Sequence, residues 1–333
     1  MNAGAPFGNQ VDLPPPKQFP EVGEWRLAPE LGQPDHVIKS SAWDVPANGQ
    51  DLWWEPEVDS GLTESRCTKE VETLPSKSAH GSTHHSNSHF LVLDDNGEWV
   101  RGDRLSEFAF GKLGEKVPEG ACRKVPANSK VGWSIHCYPD GNAVPDDQVS
   151  VGIWYHDEAD EFVEEESYKQ DLRLYNLTSG GDYLIPPHGK LMTQGFHSFD
   201  HPVRIDSWQP HLHLRGVAMS MEIYDPNTGS REMLSQASNW NAGWNHSHTY
   251  EDGYQPLIPA NTTIILTAWY DNSANNPLNP DPDQWVGAGQ RTTDEMSHAW
   301  IAVTHLDDAG FERMRAEREE RDRRTFAGSG GDE

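Results

Sequence analysis

Residues 262–270 read TTIILTAWY, a run of β-branched, aliphatic and aromatic side chains bounded on both sides by turn-forming residues. Two shorter runs have the same character, FLVL at 90–93 before the turn signal DDNG, and VSVGIWY at 149–155. Short strands separated by Gly, Pro, Asn and Asp are typical of antiparallel sandwiches and barrels. The sequence therefore predicts an all-β protein.

The length and charge of the chain narrow its class further. Its 333 residues suit two domains of ordinary size. The 53 Asp and Glu residues against 26 Lys and Arg give a formal net charge of −27, which argues against nucleic acid and anionic membranes as partners. No run of 18 apolar residues occurs, so the sequence predicts no membrane-spanning helix.

Composition divides the chain into four parts. Residues 1–50 are rich in Pro, Gly and polar residues and predict an extended N-terminal arm. The acidic stretch at 157–170 predicts a linker between a first domain at 51–165 and a second at 166–307. The Arg- and Glu-rich residues 308–333 predict a short charged helix with a flexible tail. These patterns predict two tandem domains, each built as an antiparallel sandwich or barrel.

Sixteen histidines make a metal site the first function to consider. His211 and His213 lie in the segment PHLHLRG. Alternate residues of a strand share a face, so the two imidazoles would lie roughly 6–7 Å apart and could share one metal ion. Two solvated histidines at a strand end are the alternative.

A second cluster reads THHSNSH at 83–89. Adjacent residues of a regular strand point to opposite faces, so His84 and His85 can converge on one metal ion only at a β-bulge or a strand end. His85 and His89 are the other possible pair. A histidine-rich surface loop is the alternative.

Two single residues become candidates in combination with these pairs. His136 lies in the apolar segment VGWSIHCY, where a hydrogen-bonded core histidine is the commoner case, and His197 is its main rival as a ligand. Met296 lies in TTDEMS and would by default be core packing. As a ligand, its soft thioether favours Cu(I) over zinc. His246 and His248 also have strand-face spacing, but in a polar, turn-like stretch.

Taken together and in order, these segments resemble the copper type II, ascorbate-dependent monooxygenases, the family of peptidylglycine α-hydroxylating monooxygenase, dopamine β-monooxygenase and their bacterial relatives. The resemblance covers roughly residues 52–304 and ends in HxH followed by DEM about 80 residues later. Besides the histidine and methionine segments, its motifs are GLTESR at 61–66, VETLP at 71–75, PEG at 118–120, VPA at 125–127, IPP at 185–187 and DNSA at 271–274.

The resemblance implies two tandem antiparallel β-sandwich domains of the jelly-roll kind that face each other across a cleft, each with one copper ion. The first copper would be bound by three histidines and the second by two histidines and a methionine: His84, His85 and His136, then His211, His213 and Met296. In the family the second copper binds O2 and abstracts hydrogen, so its three ligands are also the expected catalytic residues. O2 would be the co-substrate, ascorbate or a similar reductant the electron donor, and a small organic molecule the substrate.

Several positions depart from the peptide-hydroxylating members of that family. Their Arg two residues before HxH is Gln209 here, and their Asn and Tyr after the Met are His298 and Trp300. No cation is left there to pair with a carboxylate, so a C-terminal glycine peptide is not the expected substrate, and the two aromatic positions favour an apolar or aromatic one. Ser134 replaces a Gln, so an electron route through that position is not expected.

Three cysteines permit at most one intrachain disulfide and one free thiol. Cys122 and Cys137 would pair if their segments are neighbours, and a buried free thiol is the alternative. The family is expected in the periplasm or outside the cell. Residues 1–20 show no signal-peptide pattern, which leaves a cytoplasmic location open.

Three functions compete on this evidence. The first is a dicopper monooxygenase that hydroxylates a small organic molecule. The second is a copper-binding or electron-transfer protein that has kept the sites without turnover. The third is a zinc hydrolase built on His211, His213 and a carboxylate, which the thioether of Met296 disfavours.

Overall fold

The computed structural model describes residues 21–112, 114–157, 162–177, 183–243 and 245–328, without the side chains of residues 165 and 325–328. Strands make up 49% of the chain and helices 8%, which confirms the predicted all-β class. The N-terminal half holds helix α1 (Ala28–Leu31) and these strands: β1 His36–Lys39, β2 Trp43–Val45, β3 Leu52–Trp54, β4 Glu57–Asp59, β5 Arg66–Leu74, β6 Thr83–Leu93, β7 Trp99–Ala109, β8 Glu115–Lys116, β9 Ala121–Val125, β10 Lys130–Cys137, β11 Val144–Asp147 and β12 Ser150–Tyr155.

A short 3-10 turn at Glu164–Glu166 leads into the C-terminal half. That half holds these elements: β13 Tyr168–Asn176, β14 Leu184–Ile185, β15 Lys190–Ser198, β16 Val203–Leu212, β17 Gly216–Asp225, β18 Ser230–Ser238, β19 His248–Thr249, β20 Leu257–Ile258, β21 Thr263–Asp271, β22 Val286–Gly287, β23 Ser297–His305 and helix α2 Asp308–Gly328. Helix α2 covers the charged segment in which a helix was predicted. None of the described helices is long and apolar enough to cross a membrane.

One long sheet runs through both halves in the order β1-β12-β5-β9-β13-β23-β16-β19. A sheet with the order β3-β10-β6-β7 completes the N-terminal sandwich, and a sheet with the order β15-β21-β17-β18 completes the C-terminal one. Each sandwich encloses its own core, with Trp133 and Ile153 in the first and Trp208 and Leu266 in the second. The parallel pairing of β9 with β13 joins the two halves.

Part of the predicted N-terminal arm belongs instead to the first sandwich. Strand β1 pairs with β12, His36 lies opposite Ile153, and Ile38 is buried in the core. The prediction of a separate arm is therefore wrong for this strand, whose single buried aliphatic side chain gives little hydrophobic pattern. Residues 1–20 lie outside the described residues.

The cysteines form one disulfide and leave one buried thiol. Cys67 on β5 is bonded to Cys122 on β9, because these strands are antiparallel neighbours in the long sheet. Cys137 lies on β10 in the opposite sheet and is free and buried. Pairing of Cys122 with Cys137 is therefore wrong, although the limit of one bridge and one free thiol holds.

The two sandwiches meet over buried charged side chains. Lys112 Nζ donates to Glu107 Oε2 at 3.1 Å and to Glu115 Oε1 at 2.8 Å, with all three side chains at most 8% exposed. From the second sandwich, Gln209 Nε2 donates to Glu107 Oε2 at 2.9 Å. These contacts fix β7 of the first sandwich against β16 of the second.

Candidate metal centres

The first candidate centre consists of His84, His85 and His136. Among the described residues, these are the one group of three His, Cys, Asp or Glu side chains whose ligand atoms all lie within 4.8 Å of one another. The Nδ1 atoms of His85 and His136 are 3.4 Å apart. Imidazole nitrogens bind metal ions of this kind at about 2 Å, so small ring rotations would bring all three onto one ion.

A β-bulge brings the adjacent histidines together. In the pairing of β10 with β6, His136 lies opposite His85, but the next residue, Cys137, lies opposite Thr83. His84 is therefore the extra residue of a bulge, and two residues of β6 face one residue of β10. This is the irregularity that adjacent ligands on a strand require.

Two residues that the sequence did not single out hold the ring of His136. The Nε2–H of His136 donates to Asp51 Oδ2 at 3.1 Å, which leaves Nδ1 as the nitrogen with a free lone pair. Trp53, directly opposite His136 in the pairing of β10 with β3, stacks on the imidazole with ring centres 4.3 Å apart and planes 6° apart. A carboxylate on the far nitrogen is how metal-bound imidazoles are commonly oriented.

The electrostatics of this cluster favour neutral imidazoles. Burial lowers the pKa of His84 to about 4 and that of His85 well below its usual value, and the neighbouring histidines add to both effects. Burial also lowers the pKa of His136. The rings are therefore in the neutral form that binds metal ions at neutral pH.

The second candidate centre begins with His211 and His213 at the end of β16. Their ring centres are 5.3 Å apart, and both residues are about 4% exposed. Among the described residues, neither ring nitrogen of His211 has a hydrogen-bond partner, although both are buried. Buried polar atoms are rarely left unpaired, so this imidazole has the character of a ligand rather than of a core residue.

Hydrogen bonds hold the loop that ends in DEM against the end of β16. His213 Nδ1–H donates to the carbonyl of Asp294 at 3.2 Å, so Nε2 carries the free lone pair. The fully buried carboxylate of Glu295 accepts from the backbone N–H of His213 at 2.9 Å and from that of Arg215 at 2.5 Å. These contacts set the position of Met296.

Met296 directly precedes β23, whose first residue, Ser297, pairs with the last residue of β16. In the pairing of β16 with β23, His211 lies opposite His298 and Leu212 opposite Ser297. Continued one step beyond the ends of both strands, this register would set Met296 across from His213, and directly opposed residues of an antiparallel pair share a face. The Tyr270 hydroxyl donates to the carbonyl of Met296 at 2.8 Å and holds the backbone there.

The two histidine clusters face each other between the sandwiches. The Gln209–Glu107 hydrogen bond lies two residues before His211 on β16 and two residues before Ala109 on β7, and Ala109 is opposite His85. Each cluster is thus about 7 Å along its strands from the same interdomain contact. Burial lowers the pKa of His85 most, and histidines of the first and then of the second sandwich lower it further.

Three of the four positions that depart from the peptide-hydroxylating pattern lie on the paired strands β16 and β23, with Gln209 opposite Trp300 and His298 opposite His211. The side chain of Gln209 is occupied by Glu107 and by the Ser247 hydroxyl, which donates to it at 2.7 Å. Trp300 is 3% exposed, and the Arg104 guanidinium covers its ring at 4.6 Å, so it packs between the sandwiches rather than lining an open site. His298 stacks on His211 with ring centres 4.4 Å apart.

The remaining histidine candidates lie elsewhere. His197 is bound to the carbonyl of Asn176 at 3.2 Å and packs on Tyr175, outside both clusters. His89 lies opposite Gly132, further along β6 than the bulge. His246 and His248 contact each other, with ring centres 5.1 Å apart, but among the described residues no third His, Cys, Asp or Glu side chain completes a metal-binding group with them.

No family model matches the chain, and no curated protein matches it. Solved structures that resemble it include a peptide-N(4)-(N-acetyl-β-D-glucosaminyl) asparagine amidase, 12% identical over 82% of this chain and 97% of that chain, with a TM-score of 0.33. PNGase F of Flavobacterium meningosepticum is 10% identical over 82% and 97%, with a TM-score of 0.29. A fucolectin from striped bass serum is 10% identical over 81% and 86%, with a TM-score of 0.20. Similarity at this level says nothing about what this chain does.

Proposed function

We propose that this protein is a copper-dependent monooxygenase that hydroxylates a C–H bond of a small organic substrate with O2 and an ascorbate-like reductant. One observation carries the proposal: two separate groups of neutral imidazoles lie on the two sides of the contact between the sandwiches, and Met296 directly precedes the strand that pairs with the strand of His211. The family resemblance of the sequence supports the same conclusion.

The donor atoms at each centre fit copper. Three imidazoles suit both oxidation states of copper, while two imidazoles and the Met296 thioether favour Cu(I). Three protein ligands leave coordination positions open, as catalytic sites require and structural zinc sites do not provide. The orphaned nitrogens of His211 are the clearest local sign that an ion belongs at the second centre.

The residues of the chain prepare these centres for redox chemistry. Copper, when bound, would supply one-electron transfer and O2 activation, which hydroxylation of a C–H bond needs. Asp51 fixes the tautomer of His136, and the Asp294 carbonyl fixes that of His213, so in each ring one defined nitrogen faces the centre. Burial and the neighbouring histidines lower the pKa of His85 and His211 and so keep these imidazoles neutral.

A zinc hydrolase on the second centre fits less well, because the nearby carboxylates are engaged. Both oxygens of Glu295 accept backbone hydrogen bonds, and the Asp294 carboxylate pairs with Arg291 at 2.7 Å. Neither is placed to bind zinc or to activate a water molecule. A copper-binding or electron-transfer protein remains the alternative, since it would need the same ligands.

The disulfide bears on location. A bond between Cys67 and Cys122 is stable in oxidising compartments and rare in the cytosol. It supports a periplasmic or extracellular location for the proposed enzyme.

Copper stoichiometry combined with ascorbate-driven O2 uptake tests the proposal. We expect two copper ions per chain in the wild type, and the loss or marked weakening of one in His136→Ala and of the other in Met296→Ile. His197→Ala, a histidine outside both clusters, is the control and should keep two. Two ions without ascorbate-driven O2 uptake would favour the electron-transfer alternative, and unchanged stoichiometry in both ligand variants would refute the ligand assignment.

A further inference from the structure

One imidazole in each centre lies flat against the ring of the residue directly opposite it on the neighbouring strand. Trp53 stacks on His136 with planes 6° apart, and His298 stacks on His211 with planes 4° apart. Both pairs are cross-strand neighbours in register. Such pairs bring side chains within about 5 Å of each other, so the strand pairing itself imposes the stack.

The stacked ring contributes more to the orientation of the His211 imidazole than to that of His136. A metal-bound imidazole is normally oriented by a hydrogen bond to its other nitrogen. His136 has such a bond to Asp51, and His213 has one to the carbonyl of Asp294. His211 has none among the described residues, so the ring of His298 is the contact that fixes its plane.

His298 is badly placed to be a further ligand of the same ion. The lone pairs of an imidazole lie in the plane of its ring, so two parallel stacked rings direct them side by side rather than to one point. Consistently, His211, His213 and His298 are not among the described groups of three whose ligand atoms all lie within 4.8 Å of one another.

We infer that His298 is a positioning residue that holds the imidazole of His211 in the orientation needed to bind the second copper. The stack itself is independent of any metal ion, while its consequence for copper rests on the proposed function. The flat ring, rather than its nitrogen atoms, is what this role requires. A phenyl ring at residue 298 should therefore serve, whereas a methyl group should not.

The experiment compares His298→Ala with His298→Phe, first without metal. NMR of the His211 ring protons, assigned with His211→Ala, reports ring stacking directly. We expect these signals to move and broaden in His298→Ala and to return towards their wild-type positions in His298→Phe. Unchanged signals in His298→Ala would overturn the inference, whether or not the protein binds copper.

The second readout uses copper at the second centre alone, in a His136→Ala background. We expect His298→Ala to weaken copper binding there by about 10- to 100-fold and to broaden the Cu(II) EPR hyperfine lines, and His298→Phe to restore both. Equal losses in both variants would make His298 a nitrogen ligand and refute the positioning role. If the His136→Ala parent binds no copper but the NMR signals change as expected, the proposed function is refuted and the inferred stacking of His298 on His211 is retained.

Discussion

The two candidate centres are built in different ways. The first is made by an irregularity within a sheet, because the bulge at His84 collects three imidazoles that already lie within 4.8 Å of one another. The second is made at the end of a strand, where the carboxylate of Glu295 holds the DEM loop beside His213 and a stacked ring holds His211. The first centre is thus assembled by the strands themselves, and the second depends on a few contacts that single substitutions can remove.

This difference fits the tasks that the proposed function assigns to the centres. A site that only stores and passes an electron benefits from a rigid set of equal donors, because little rearrangement then accompanies the change of charge. A site that binds O2 and meets a substrate needs open positions and a donor such as a thioether that favours Cu(I). Variants should therefore test whether the first centre tolerates the loss of a single contact and whether the second does not.

The largest expected effect falls on the contact that both centres share. Lys112→Met would leave the buried carboxylate of Glu107 without its cation, while Glu115 would keep its pair with Arg123, and breaking a buried pair in this way costs about 3–5 kcal/mol. Urea denaturation measures the change in the free energy of unfolding. Lys77→Met is a matched control, since Lys77 and its partner Glu21 are 69% and 76% exposed, and it should cost less than about 1 kcal/mol. Similar losses in both variants would contradict the importance of the buried contact.

Glu295→Ala should separate the two centres. It would leave two buried backbone N–H groups without an acceptor, at a cost of about 2 kcal/mol or more in the free energy of unfolding. Copper should be lost from the second centre and retained at the first. Glu295→Gln keeps one acceptor oxygen and should lie between the alanine variant and the wild type. Loss of both copper ions in a variant that still folds would show that the centres are not independent.

Asp51→Ala is the corresponding change at the first centre. It removes the carboxylate that orients His136, and we expect copper affinity there to fall about 10- to 100-fold with the second centre unchanged. Because the bulge and the Trp53 stack remain, the first centre should still bind copper, but more weakly. Isothermal titration of copper resolves this, with Asp51→Asn as the variant that keeps an acceptor. Complete loss of the first copper would mean that this centre is also held by a single contact.

The sequence predicted the elements whose signal is local. Alternating and β-branched runs marked strands such as β21, and the HxH spacing placed His211 and His213 on one face. The requirement for a bulge at His84 followed from the opposite directions of adjacent strand residues, and the bulge is present.

The features that the sequence did not predict depend on strand register. Asp51 lies 85 residues from the His136 that it orients, and the stack of His298 on His211 exists only because β23 pairs with β16 in one alignment. The disulfide partner of Cys122 likewise depends on which strands are neighbours in the sheet. Edge strand β1 was missed because it joins the sheet through its backbone and buries the single aliphatic side chain of Ile38.

The smallest effect on stability should come from Met296→Leu, which removes the thioether sulfur and nearly conserves volume. Swaps of this kind usually change the free energy of unfolding by less than about 1.5 kcal/mol, and Met296 is only partly buried. The consequence should be confined to chemistry: the second centre should bind Cu(I) more weakly, with a smaller change for Cu(II), because imidazoles alone serve the oxidised ion. Competition with a Cu(I)-selective chelator before and after reduction measures both affinities. Equal affinities for Cu(I) in wild type and variant would place the sulfur away from the ion, and the contrast between a three-imidazole centre and a thioether centre would not hold.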